Sequence, residues 1–240
     1  MRFLKVGSSD DFSIGRYYVE IYTNSQITSK IVENVNNRHT NVILGPTEKV
    51  LFGPGFIKDS ILGLTFEISA SSFYQVNPKQ VEALYKTALD LVEPNKSEVV
   101  LDAYSGVGTI GLIASSKAKH VYSVELNKFA SRNAVENAKR NNVTNITFEC
   151  DDAGKYISSF EGDLDVVIMD PPRKGSDEVF LDTLINKKVP EVIYVSCDPE
   201  TLARDISYLS KFYDVKYIQP VDMFPMTCHV ETVVLLELKN

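Results

Sequence analysis

The chain has 240 residues and a formal net charge of −7, and 44% of its residues are hydrophobic. This length suits one full domain with a smaller appendage. Without a run of about 18 apolar residues or a signal-peptide core, the sequence predicts no membrane span and no export. The three cysteines form no CxxC pair, which argues against a disulfide framework or a zinc site and fits a reducing cytoplasm.

Short apolar runs dominate the first 70 residues. They lie at residues 17–22, 42–44, 50–52 and 62–68, with glycine and asparagine between them. We therefore predict a β-rich portion over residues 1–70.

A helix is predicted next, because Asn77-Pro78 is typical of a helix start and an apolar stripe follows to about Val92. The stripe consists of Val81, Leu84, Tyr85, Ala88 and Leu91.

Strands and helices alternate from residue 98 onward. The predicted strands are 99–103, 120–125, 146–150, 165–170, 191–196, 215–220 and 232–238, and a helix is predicted over 128–140. Alternation of this kind predicts an α/β fold with a doubly wound parallel sheet over residues 71–240. The loop 221–230 is too short for a parallel crossover, so the last two strands are expected to pair antiparallel at one edge.

A glycine-rich loop, residues 102–111, joins the first strand of this sheet to its helix. Its glycines match G-x-G-x-x-G and allow a ligand to approach backbone N–H groups: Gly106, Gly108 and Gly111. A nicotinamide cofactor is a competing ligand for this pattern. Asp102 favours a cationic amino group over a pyrophosphate, unless it only caps the loop. Glu125 ends the second strand, where a ribose diol would lie.

Two further motifs follow strands four and five. They are Asp170-Pro171-Pro172-Arg173 and Ser196-Cys197-Asp198-Pro199. Ligands of open α/β sheets bind beyond the carboxyl ends of the strands, so we expect Asp170 and Cys197 to converge with Asp102 and Glu125. A helix start beside Cys197 favours its thiolate, whereas neighbouring carboxylates oppose it. The alternative is a buried structural cysteine.

A set of motifs in fixed order extends through the chain. Its members are residues 73–77 (FYQVN), 102–111, Glu125, 170–173, 196–199, 201–205 and 222–231. In this order they resemble the RNA uracil-C5 methyltransferases of the TrmA/RumA type, and the bacterial 23S rRNA enzymes in particular. The resemblance is close over residues 71–240. Residues 1–70 resemble the small central β domain of that family less sharply.

The resemblance implies a class I S-adenosylmethionine-dependent methyltransferase that acts on RNA, with 23S rRNA favoured over tRNA. It implies Cys197 as nucleophile and Glu231 as base, and we expect Arg173 and Phe224 to hold the target base. The candidate cofactor contacts, which include residues of the glycine-rich loop, are Gln75, Asp102, Tyr104, Gly106, Gly108, Glu125, Asp152 and Asp170. The family usually has Asn where Asp198 stands, and its N-terminal TRAM domain and iron–sulfur cysteines are expected to be absent.

Four other functions are alternatives at this point. Methylation of adenine N6 or guanine N2 uses an Asp-Pro-Pro-aromatic motif without a cysteine, but Arg173 stands in the aromatic position. Cytosine-C5 methylation also uses a cysteine. A nicotinamide-dependent oxidoreductase and a catalytically silent RNA-binding fragment are the others. The net negative charge requires that any RNA contact use a local basic patch.

Overall fold

The computed structural model describes residues 6–8, 15–22, 28–36, 45, 47–70, 72, 74–75, 77–92 and 98–239. The chain divides into two compact units, one of residues 1–59 and 67–72, the other of residues 60–66 and 73–240. The predicted boundary after residue 70 lies close to residues 60–72, where the chain passes from the first unit to the second and back. No helix within the described ranges is long and apolar enough to cross a membrane.

The first unit contains an antiparallel meander. Its strands are β1 (Val6–Ser8), β2 (Gly15–Tyr22), β3 (Thr28–Asn36) and β4 (Thr47–Phe52), paired in chain order. In β3 the buried Asn34 exchanges two hydrogen bonds with the backbone of Gly45, at 2.7 and 3.0 Å. The β-rich character predicted for this region is confirmed for the described residues, whereas the predicted run 42–44 lies outside them.

A hairpin follows, with β5 (Phe56–Ile61) and β6 (Leu64–Ser69). Residues 60–66 belong to the second unit, where Thr65 N–H donates to Asn141 Oδ1 at 2.9 Å. The predicted strand at 62–68 is therefore partly a turn, because Leu62 and Gly63 have positive φ angles.

The second unit is built on a seven-stranded sheet. In chain order its elements are α1 (Pro78–Asp90), β7 (Val99–Ala103), α2 (Thr109–Ala114), β8 (His120–Val124), α3 (Lys128–Arg140), β9 (Ile146–Glu149), α4 (Ala153–Ser159), β10 (Val166–Met169), α5 (Glu178–Lys187), β11 (Glu191–Ser196), α6 (Pro199–Leu209), β12 (Tyr213–Val221) and β13 (Glu231–Leu238). The strand order is β12-β13-β11-β10-β7-β8-β9. Only β13 runs against its neighbours, since β7 to β11 pair in parallel and β13 pairs antiparallel with both β11 and β12.

The predicted class I methyltransferase topology is confirmed, with its doubly wound sheet and antiparallel last strand. The strand β10 is buried at every residue, as expected of a parallel strand covered on both faces. The start of α1 is also confirmed, because Asn77 Oδ1 accepts the N–H of Gln80 and Pro78 occupies the first turn. The bounds predicted for α3 are those of the structure.

Candidate active site

A cavity of about 610 Å³ opens beyond the carboxyl ends of the parallel strands in the second unit. Strand order reverses between β7 and β10, and α/β sheets bind ligands at this kind of switch point. Nine of the predicted site residues line the cavity: Gln75, Tyr104, Gly106, Glu125, Asp152, Asp170, Arg173, Cys197 and Glu231.

The loop between β7 and α2 forms one wall of the cavity. Tyr104, Gly106 and Gly108 adopt left-handed backbone angles, with φ of 63°, 58° and 80°. A Cβ on Gly108 would lie 2.9 Å from Ala134 Cβ on α3, so only glycine fits there. Gly108 thus allows the loop to pack closely against α3, and it does not line the cavity.

Glu125 fixes the same loop from the end of β8. Its Oε2 accepts the N–H of Gly106 at 2.8 Å, and its Oε1 accepts the N–H of Asn127 at 2.6 Å. Each carboxylate oxygen keeps a lone pair for a second donor. Glu125 therefore presents two oriented acceptors toward the cavity.

Asp102 lies beneath the loop and does not line the cavity. Its fully buried Oδ2 accepts the N–H of Gly111 at 2.9 Å and the hydroxyl of Ser123 at 3.2 Å. Burial raises the pKa of Asp102 to about 7, although the Gly111 bond opposes that shift. Asp102 Oδ2 thus fixes α2, whereas within the described residues its Oδ1 is buried without a hydrogen bond, and the predicted ligand contact of Asp102 stays a prediction.

Two polar atoms on the cavity wall lack a partner. Within the described residues, Gln75 Oε1 and Ser105 Oγ are buried without any hydrogen bond. Such atoms usually indicate a missing ligand or water. The sequence prediction included Gln75 but not Ser105, although Ser105 lies between two predicted loop residues.

Tyr104 and Asp152 occupy the walls near the loop. The Tyr104 hydroxyl lies 3.1 Å from Ser176 Oγ, and burial raises its pKa to about 12. Asp152 caps α4, with Oδ1 accepting the N–H of Lys155 at 3.1 Å. Both side chains are therefore held in place by the fold before any ligand binds.

The segment after Asp170 forms the opposite wall and is held by α6. Arg204 donates to the carbonyl of Lys174 at 3.0 Å, and Thr201 Oγ1 donates to the carbonyl of Arg173 at 3.1 Å. Asp205, which is 1% exposed, accepts the N–H of Ser176 at 2.9 Å. This wall is therefore rigidly shaped by side chains whose role the sequence analysis did not predict.

Asp198 caps a helix and forms an ion pair with Arg173. It caps α6, with Oδ1 accepting the N–H groups of Glu200 and Thr201 at 3.1 Å, and its Oδ2 accepts Arg173 Nε at 3.1 Å. The Thr201 N–H and Arg173 hold the pKa of Asp198 below its usual value. Its negative charge is thus balanced by Arg173.

Cys197 and Glu231 face each other across two neighbouring strands. Ser196 on β11 pairs with Thr232 on β13, so Cys197 and Glu231 are the next residues along the antiparallel ladder. Both line the cavity together with Asp170. Phe224, by contrast, lies between β12 and β13 with its ring 6.3 Å from that of His229, and it does not line the cavity.

Three ionisable groups in this part of the cavity, Glu231, Asp170 and Cys197, have raised pKa values. Burial raises the pKa of Glu231, which is 2% exposed, to about 7. Burial, and then the charges of Glu231 and Asp102, raise the pKa of Asp170 well above its usual value. Burial and the charges of Glu231 and Asp170 also raise the pKa of the Cys197 thiol. Carboxyl groups with raised pKa values beside a thiol in a cavity are typical of a catalytic site.

Comparison with known proteins gives two family models. Residues 154–239 match the model described as tRNA (Uracil-5-)-methyltransferase, and residues 83–189 match the model described as Methyltransferase small domain. The first match includes the segment after Asp170, Cys197 and Glu231.

Curated relatives carry the description "Uncharacterized RNA methyltransferase". The Listeria innocua protein is 48% identical over 92% of this chain and 50% of its own length. The Halalkalibacterium halodurans protein is 49% identical over 88% of this chain and 47% of its own. The chain thus spans about half the length of these relatives.

Among solved structures, the Pyrococcus abyssi tRNA (uracil-54, C5)-methyltransferase in complex with S-adenosyl-L-homocysteine is similar, with a TM-score of 0.76. It is 32% identical, and the match covers 92% of this chain and 55% of that chain. The structure described as M. jannaschii TYW2 in complex with AdoMet shares the fold, with a TM-score of 0.57. It is 19% identical, and the match covers 81% of this chain and 92% of that chain. The sequence and fold matches agree, and the chain belongs to the uracil-5 RNA methyltransferase family.

Proposed function

We propose that the chain transfers a methyl group from S-adenosylmethionine to carbon 5 of a uridine in RNA. The observation that carries this proposal is the placement of Cys197 and Glu231 at adjacent strand ends in one cavity. A thiol beside a carboxylate supplies the nucleophile and the base that this reaction needs. Methylation of an exocyclic amine would have no use for the thiol.

The cavity suits S-adenosylmethionine as the methyl donor. The unpaired Gln75 Oε1 and Ser105 Oγ are available to the polar methionine end. The two acceptors of Glu125 suit the ribose hydroxyls. A cationic sulfonium group near the buried Asp170 would favour the ionised form of this carboxyl, whose pKa is otherwise raised by burial. When bound, the donor supplies an electrophilic methyl group.

The roles of Cys197 and Glu231 follow from the chemistry of uracil, whose carbon 5 is a weak nucleophile. The Cys197 thiolate adds to carbon 6, and the electron pair of the C5=C6 bond moves into a C4–O4 enolate. Carbon 5 would then form the bond to the methyl group while the bond between that methyl group and the donor's sulfur breaks, and the enolate would return to the C4=O4 carbonyl. Glu231 accepts the proton from carbon 5, the C5=C6 bond forms again, and the S–C6 bond breaks to return the thiolate.

The protonation states of Glu231 and Cys197 suit a reaction near neutral pH. A base with a pKa of about 7 is deprotonated in a useful fraction of molecules and still accepts a proton readily. The raised pKa of Cys197 means that its thiolate is formed mainly when the substrate is in place or the pH is high. Both groups therefore favour mildly alkaline conditions.

The RNA must present the uridine out of its stack, because the reacting atoms lie inside a cavity. Two exposed cations at the cavity wall, Arg173 and Lys174, are suited to nearby phosphate groups. The preference for 23S rRNA over tRNA stays a prediction of the sequence resemblance.

An RNA transcript made with 5-fluorouridine tests the proposal. Fluorine at carbon 5 cannot leave as a proton does, so the S–C6 adduct accumulates and migrates as a protein–RNA band in a denaturing gel. We expect this band with the full chain and S-adenosylmethionine, on rRNA or tRNA transcripts, and not with Cys197→Ala. Cys150→Ala and Cys228→Ala are matched controls, because both cysteines are free and exposed.

An adduct that survives in Cys197→Ala would refute the assignment of the nucleophile. Adduct formation on a 5-fluorocytidine transcript alone would indicate cytosine as the target base.

A further inference from the structure

Tyr85 is a polar group of the cavity to which neither the sequence nor the proposed function assigns a role. It lies on the apolar stripe of α1 and is only 8% exposed, as expected of a core residue. Its side chain nevertheless lines the same cavity as Cys197 and Glu231.

Within the part of the chain that the structure describes, burial and nearby charges act on the Tyr85 hydroxyl, and no hydrogen bond to it is found. Buried phenols normally find one, as Tyr213 does with the carbonyls of Leu184 and Val189. Because the ring reaches the cavity, the missing partner is expected to be a ligand that enters it.

The charges around Tyr85 define what this hydroxyl can do. Burial raises its pKa well above 10, and the charges of Asp170, Tyr74, Asp102 and Glu231 raise it further. The phenol therefore keeps its proton throughout the neutral range. It is a neutral donor surrounded by carboxylates, which when ionised only accept.

The reaction needs such a donor. When the S–C6 bond forms, the electron pair of C5=C6 moves toward O4, and negative charge develops there next to Asp170 and Glu231. These carboxylates oppose that charge. Two other donors on the wall already have partners, since the Tyr104 hydroxyl bonds to Ser176 and Arg173 Nε bonds to Asp198.

We propose that the Tyr85 hydroxyl is a catalytic hydrogen-bond donor that stabilises the enolate oxygen O4 of the target uridine. Tyr85 keeps its proton and makes or breaks no covalent bond. The inference rests on the proposed function and adds to it a group that acts in the first step, the addition of Cys197 to carbon 6.

The test compares two Tyr→Phe variants of the full chain. Tyr85→Phe removes an unpaired hydroxyl, so we expect an unchanged melting temperature and unchanged affinity for S-adenosylhomocysteine by calorimetry. Adduct formation with the 5-fluorouridine transcript should slow by roughly 100-fold, the usual cost of losing one donor to a developing oxyanion.

Tyr213→Phe is the matched control, because Tyr213 is 1% exposed and bonded within the protein. We expect its melting temperature to fall by about 2–4 °C and its adduct rate to stay at the wild-type value.

Three results with Tyr85→Phe would overturn the inference. An adduct rate equal to that of the wild type would remove the catalytic role. A loss of S-adenosylhomocysteine affinity that matches the loss of rate would assign the hydroxyl to the methyl donor. A fall in melting temperature like that of Tyr213→Phe would make its role structural. If the wild-type chain forms no adduct, the proposed function fails, and this inference fails with it.

Discussion

The pH dependence of turnover follows from the position of Glu231 at the start of β13. Burial raises its pKa to about 7, and only the carboxylate form accepts the proton from carbon 5. At about pH 6 roughly one tenth of the molecules hold that carboxylate, and at about pH 8 roughly nine tenths do. We therefore expect the single-turnover rate at which the enzyme releases RNA containing 5-methyluridine to rise by about tenfold over this interval.

Two parallel assays separate the base from the nucleophile. Single-turnover release of RNA containing 5-methyluridine reports all steps, whereas adduct formation on 5-fluorouridine RNA requires Cys197 but not proton removal from carbon 5. Glu231→Gln should lose turnover and keep adduct formation. A product-release rate that is flat between about pH 6 and about pH 8, or Glu231→Gln with wild-type turnover, would refute the reasoning.

Three further predictions concern residues behind the cavity wall. The folded-state pKa of Asp102, about 7 against 3.8, means that the folded chain holds a proton that the unfolded chain releases. Wild-type stability should therefore fall between about pH 4 and about pH 7 by up to about 4 kcal/mol from this group, and urea unfolding of Asp102→Asn should show a smaller fall. Gly108→Ala should lower the free energy of unfolding by about 1–2 kcal/mol through its left-handed backbone alone, and more through the contact with Ala134; an unchanged melting temperature would contradict this. Asp205→Ala removes the acceptor of three buried or half-buried donors and should cost about 3 kcal/mol or more, whereas a loss below about 1 kcal/mol would show that the α6 contacts are dispensable.

The sheet was predictable from the sequence because its signals are local. Alternating apolar segments set the strands, and the short loop before β13 required antiparallel pairing. The helix α1 was predictable from Asn77 and Pro78, which favour a helix start whatever surrounds them. The predicted strand 62–68 was less accurate, because the turn at Leu62 and Gly63 depends on unusual backbone angles.

The candidate site was predictable only in part. Strand-end position correctly brought Glu125, Asp170 and Cys197 to one cavity. The same rule did not show that one carboxylate oxygen of Asp102 is used within the fold, where it accepts the N–H of Gly111. Tyr85 had no signal of its own, because an aromatic residue on an apolar helix stripe is usually a core residue.

The central claim is tested most directly by nucleoside analysis of methylated RNA. Unmodified rRNA and tRNA transcripts are incubated with the full chain and S-adenosylmethionine carrying a labelled methyl group, digested to nucleosides and examined by mass spectrometry. We predict labelled 5-methyluridine with the wild-type chain and none with Cys197→Ser, while Cys228→Ser resembles the wild type. Labelled N6-methyladenosine, or 5-methyluridine formed equally by Cys197→Ser, would contradict the account.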